Sequence, residues 1–111
     1  MNLLRAQVRA ESGWWEIKLL DLDIAADGAS EDEMLRQLEE SLIAEYHLAL
    51  DAGKTPFVAI TLAIPTEAHR PWQGNPKKLR PLNLPDEVQR ALAAALRQPT
   101  LTAFGIDKDA A

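Results

Sequence analysis

Residues 13–53 run from a glycine turn through an aromatic strand and a second short strand into one long amphipathic helix, an order that a small αβ unit satisfies best. Gly13-Trp14-Trp15-Glu16-Ile17-Lys18-Leu19-Leu20 opens on a turn residue and continues in aromatic and β-branched residues that suit a pleated strand. Alternation puts Trp15, Ile17 and Leu19 on one face and Trp14, Glu16 and Lys18 on the other. Upstream, Leu4-Arg5-Ala6-Gln7-Val8-Arg9-Ala10 alternates with the same period. With Glu11-Ser12-Gly13 as the turn, the two segments predict an antiparallel hairpin. Asp21-Leu22-Asp23 then leads into a shorter third strand around Leu22 to Ala26, closed by Asp27-Gly28.

Ser30-Glu31-Asp32-Glu33 is a capping box: the Ser30 hydroxyl accepts from the Glu33 amide while the Glu33 carboxylate reaches back. The acidic first turn also complements the positive end of the helix dipole. Met34, Leu35, Leu38, Leu42, Ile43, Tyr46, Ala49 and Leu50 recur at helical spacing as one apolar stripe. Gly53 supplies a left-handed cap and Pro56 blocks continuation, which gives a helix roughly 33 Å long.

Beyond it, Phe57 to Ile64 reads as a further strand, with Val58, Ile60, Leu62 and Ile64 on one side. It is apolar enough to be buried on both faces or to pair across a subunit interface, so a homodimer or higher oligomer through 57–64 and the following arm is expected. From Pro65 to Pro85 the chain is broken by Pro65, Pro71, Pro76, Pro81 and Pro85 and reads as a linker or extended arm. Leu84-Pro85-Asp86-Glu87 starts a last helix with Val88, Leu92 and Leu96 as its buried line, ending near Gln98-Pro99. The tail from Thr100 is expected to be irregular and to dock through Leu101, Phe104 and Ile106. The fold class is therefore α+β: a small mixed sheet (β-β-β-α-β) with one long helix packed on a face, plus a C-terminal helix after a proline-rich arm. The divisions fall at 1–65, 66–84 and 85–111.

Composition narrows the chemistry. At 111 residues, 47% apolar and 26% charged, the chain has enough apolar side chains for a real core. It has no cysteine, which excludes disulfides, thiolate metal sites and cysteine nucleophiles, and fits a reducing cytoplasm. No apolar signal core opens the sequence, so an intracellular protein is expected. The net charge of −5 is uneven. Residues 1–65 carry an excess of roughly seven acidic groups and 66–98 an excess of about three basic ones. The front half should repel nucleic acid and attract a basic partner.

Asp21, Asp23 and Asp27 sit at strand ends, where paired carboxylates can hold a divalent ion, but turn residues and solvated strand ends are the preferred reading. His47 lies on the helix and His69 in the arm, with no third group fixed near either. Ser12, Ser30 and Ser41 are turn, cap and helix residues, so no catalytic residue, cofactor or metal site is expected. The arm interleaves Trp72 with Arg70, Lys77, Lys78 and Arg80, a combination able to contact phosphates and stack on bases. It is equally able to lie across the acidic body of its own or a neighbouring subunit, and that second reading is preferred.

Taken together, Gly13-Trp14-Trp15, Asp21-Leu22, Ser30-Glu31-Asp32-Glu33 and Leu38-Glu39-Glu40-Ser41-Leu42 resemble the HicB-like antitoxin family in order and spacing, over roughly residues 4–64. The Pro-Gly-Cys that usually follows Asp-Leu in that family is replaced here by Asp23-Ile24-Ala25. The resemblance implies a degraded ribonuclease-H-like fold, no enzymatic activity, oligomerisation, and neutralisation of a small basic HicA-type mRNA-cleaving toxin in a type II toxin–antitoxin pair. Trp14, Glu16, Asp21 and Asp23 are the residues expected to meet that partner. Family members often end in a DNA-binding domain, and Lys78 to Glu87 looks like the strand and first helix of a ribbon-helix-helix, which Pro81 interrupts. Two alternatives stand beside this reading. One is a solitary interaction protein of the same fold with DNA-binding autoregulation through the arm; the other is a ribonuclease-H-like metal-dependent nuclease using Asp21 and Asp23.

Overall fold

Leu3–Glu11 (β1) and Trp14–Leu19 (β2) form the expected hairpin, with Ala6 opposite Leu19, Val8 opposite Ile17 and Glu11 opposite Trp14. The computed structural model describes residues 3–61, 77–96 and 105–108. Only two residues join the strands, and both Ser12 (φ 54°) and Gly13 (φ 79°) are left-handed, as a type I′ turn demands. Ala25–Gly28 (β3) pairs antiparallel with β2, three residues later than the strand predicted from Leu22. The reason is local: Leu19 N–H donates to Ile24 O across a bend at residues 20–23, and Leu22 instead makes an isolated bridge to Thr61.

Glu31–Asp51 (α1) follows, capped as the sequence predicts. The Ser30 hydroxyl accepts from Glu33 N–H at 3.1 Å, while the Glu33 carboxylate reaches one residue further back than the motif requires, to Ala29 N–H at 3.3 Å. Gly53 closes the helix at φ 69°. Met34, Leu35, Leu38 and Leu42 are buried and Ile43 and Tyr46 partly so, but Leu50 is not covered.

The predicted strand over Phe57–Ile64 is corrected. Phe57 takes φ 68°, a left-handed conformation that breaks the extended run at its first residue, and Val58–Ile60 closes a 3-10 turn. Phe57 itself is fully buried, so its ring enters the core from this turn. Residues 62–64 lie outside the described residues.

The arm also differs from a linker where it is described. Lys77–Lys78 forms a short strand (β4), and Leu79, Leu82 and Leu84 are all buried in the same core as the sheet and α1. Asp86–Ala95 (α2) buries Val88 and Leu92 there, as predicted. Residues 105–108, expected to be irregular, form a strand (β5) lying between β1, to which it is parallel, and β4. Leu101 and Phe104 fall outside the described residues. The result is a mixed sheet in the order β3-β2-β1-β5-β4. One face of it carries Ala6, Val8, Ile17 and Leu19 into a single core shared with both helices. The fold is a small α+β fold, and the helices leave the other face of the hairpin open.

Candidate partner-binding face

The open face follows from strand alternation. Gln7, Arg9 and Glu11 of β1, Trp14, Glu16 and Lys18 of β2, and Ala25 and Asp27 of β3 all point away from the helices and are exposed. Register sets them in rows: Glu11 beside Trp14; Arg9, Glu16 and Asp27 across three strands; Gln7, Lys18 and Ala25 across the same three. Directly opposed side chains on such a face stand about 5 Å apart at Cβ. Among the described residues, Arg9, Glu11, Glu16, Lys18 and Asp27 form no ion pair with one another. Trp14, 47% exposed, lies between Glu11 and Glu16 along the outer rows. Two shallow hollows adjoin here, of about 290 Å³ beside Trp14 and about 450 Å³ over Lys18 and Asp27, and Arg9 and Glu16 line both. Among the described residues both hollows are shallow and open to solvent, and the exposed indole beside them is bordered by charges of both signs.

Of the residues expected to meet a partner, Trp14 and Glu16 share this face. Asp21 and Asp23 do not. They occupy the bend beyond the far end of β2, roughly 20 Å along the strand from Trp14. The two carboxylates differ in setting: Asp21 is buried, whereas Asp23 is exposed and its N–H donates to Ile60 O at 2.8 Å. Among the described residues, no three histidine, aspartate or glutamate side chains gather in a way that would hold a metal ion. His47 is exposed and meets the edge of Tyr46 at 5.3 Å between ring centres.

Of the expected nucleic-acid set, Arg70 and Trp72 lie outside the described residues, as do the side chains of Lys77 and Lys78, whose backbone forms β4. The Arg80 guanidinium is turned onto the acidic side chains of α1. Nη1 and Nη2 donate to the two oxygens of Glu39 at 3.0 and 3.3 Å, and Nε donates to Asp32 at 3.0 Å. Nη1 also reaches Pro81 O, and Asn83 N–H donates to Glu39 as well. Hydrogen bonding to Glu39 raises the Arg80 pKa above its ordinary value, with the charges of Glu39 and Asp32 adding to it. Sequence reading missed Glu39, a buried acid on the otherwise apolar stripe. Its signal was present, since Glu39 falls one helical turn from Leu35 and Leu42 and so had to be covered by a cation.

Compared with protein-family models, with curated proteins and with solved structures, the chain matches none. Among the described residues no helix is long and apolar enough to cross a membrane.

Proposed function

We propose that this chain is a non-enzymatic, cytoplasmic partner-binding protein, and specifically a HicB-like antitoxin that neutralises a small basic HicA-type mRNA-cleaving toxin. The observation that carries the reading is Trp14, a large exposed indole with Glu11 and Glu16 beside it on the helix-free face of the sheet. An aromatic anchor flanked by carboxylates matches a partner whose RNA-binding surface is rich in arginine, which stacks on the ring and pairs with the acids. The acidic excess of residues 1–65 adds long-range attraction for such a protein and steers its approach. Asp21 is withdrawn from the contact set by its burial, and Asp23 by its distance along β2.

Reading the genes on either side for one that encodes a small basic protein, then co-expressing that protein with this chain and running gel filtration, tests this directly. A stable complex is expected, with Trp14→Ala weakening it by about 30-fold or more and Glu16→Lys slowing association most at low salt. Failure of the two proteins to co-elute would end the proposal.

DNA-binding autoregulation is supported less well, because Arg80, the one arm cation whose side chain is described, is occupied by Glu39 and Asp32. A ribonuclease-H-like reaction has no support in the placement of Asp21 and Asp23, which present no shared surface to a pair of ions.

A further inference from the structure

β3 is an edge strand: it has β2 on one side and, among the described residues, no strand on the other. The hydrogen bonding of the pair decides which of its backbone groups face outward. Leu19 N–H donates to Ile24 O at 3.0 Å, and the register carries that bonded pairing on to Ile17 with Ala26 and Trp15 with Gly28. In an antiparallel ladder the residues between are not bonded across, so the N–H and C=O of Ala25 and Asp27 point away from β2. Neither backbone makes another hydrogen bond among the described residues. Both residues are exposed, and the strand that carries them is pinned. Gly28 is buried so close to α1 that an added Cβ would lie 2.6 Å from Met34 N. A fixed row of outward donors and acceptors is what an extended chain needs to join a sheet.

The two edges of the sheet differ. β4 reads Lys77-Lys78, and lysine is a residue that keeps edges from pairing. β3 reads Ala25-Ala26-Asp27-Gly28, with no lysine and little bulk. The side chains along it set the chemistry of the occupant. Asp27 stands directly opposite Glu16, in a pair whose Cα atoms are about 4.5 Å apart, and like charges so placed destabilise a sheet. Arg9 lies on the far side of Glu16, and Lys18 one strand in from Ala25, so the charge at the rim itself is negative. Beside Ala25 the hollow of about 450 Å³ leaves room over the sheet for a long side chain.

We propose that the β3 edge takes up an extended basic segment of another protein as an added strand. The segment's backbone pairs with Ala25 and Asp27, and an arginine or lysine beside Asp27 relieves its opposition to Glu16. The side chain two residues along crosses Ala25 into the hollow. What is recognised is an extended backbone, not a folded surface, so the proposal does not rest on the Trp14 reading.

NMR of the isotope-labelled full chain tests it, with the capped peptide Thr-Arg-Val-Leu-Val-Arg-Thr, whose arginine and leucine side chains share one face in either strand direction. An edge this short binds weakly, so saturation is expected at about 0.1–1 mM peptide. Hydrogen exchange at the Ala25 and Asp27 amides should then slow by more than about tenfold, while the amides of Ala26 and Gly28, already bonded to β2, change little. The same peptide N-methylated at its arginine and leucine nitrogens keeps its charge but not its donors, and should bind at least about tenfold more weakly. A version with glutamate in place of both arginines should bind the parent chain more weakly and Asp27→Lys better. Ala25→Pro removes one outward N–H while keeping the β2 ladder and both carboxylates, and should weaken binding by about fivefold or more. Trp14→Ala should leave it within about twofold, so failure here and failure of the Trp14 reading are told apart. No protection of Ala25 and Asp27 up to about 5 mM peptide overturns the proposal. So does equal binding of the N-methylated peptide, or protection that rises with protein concentration in the absence of peptide, which would assign the edge to a second copy.

Discussion

Replacing Arg80 by alanine should loosen the C-terminal segment from α1, and the cost can be worked from the geometry. The guanidinium makes two hydrogen bonds to Glu39 and one to Asp32, but the two acids are not equivalent. The Asp32 side chain is 66% exposed, and a pair with it contributes about 0.5 kcal/mol or less. Glu39 is buried, and stripping a buried carboxylate of its cation costs about 3–5 kcal/mol when both partners are inside. Arg80 is 31% exposed, so water relieves part of that, and Asn83 N–H stays in place; a loss of about 2–3 kcal/mol follows. Arg80→Lys, which offers a point charge in place of a fork, should lose about 1 kcal/mol. The assay is urea unfolding followed by tryptophan fluorescence, run as a double-mutant cycle. Arg80 and Glu39 should couple by more than about 1.5 kcal/mol and Arg80 and Asp32 by less than about 0.5. Equal coupling to both acids, or an Arg80→Ala variant as stable as the parent, would refute the reasoning.

Other expectations follow from single positions, all readable in the same unfolding assay. Ser12→Asn should stabilise by about 0.5 kcal/mol, since Ser12 already sits at φ 54° before Gly13 and asparagine tolerates that conformation better. Gly28→Ala should destabilise by more than about 2 kcal/mol, because its Cβ would lie 2.6 Å from Met34 N, where only backbone movement of α1 against β3 relieves the clash. Leu38→Ala should cost about 2–5 kcal/mol through the cavity it leaves between α1 and the sheet. Ser30→Ala should cost about 1 kcal/mol by leaving Glu33 N–H without its cap.

The elements legible in the sequence were those whose signals are local. The hairpin, the capping box and the Gly53 stop are written in residues a few positions apart, and they stand where the periodicity and turn chemistry put them. What was misread depends on distant partners. Phe57 to Ile60 has the composition of a strand, yet the ring of Phe57 is worth more buried at a turn than extended, and that balance is set by the core it enters. Leu79, Leu82 and Leu84 looked like parts of a linker because prolines surround them, and the surface they pack on lies some forty residues upstream. Residues 105–108 carry too short a pattern to stand out, and they become a strand because β1 and β4 offer hydrogen bonds on both sides. At the candidate face, Trp14 and Glu16 could be paired from strand alternation alone, whereas the separation of Asp21 from Asp23 required the bend to be seen.

The position of β5 has a consequence for synthesis. β1 finds its first neighbour, β2, through residues 6–11 almost as soon as both leave the ribosome, but the β5 neighbour of residues 3–6 is made about a hundred residues later. At ordinary elongation rates that side of β1 waits on the order of 5–20 s with its amide and carbonyl groups unanswered by the sheet. The nascent chain thus presents an open strand edge for longer than most of its other contacts take to form, and the arrival of β5 closes the middle of the sheet rather than extending its rim.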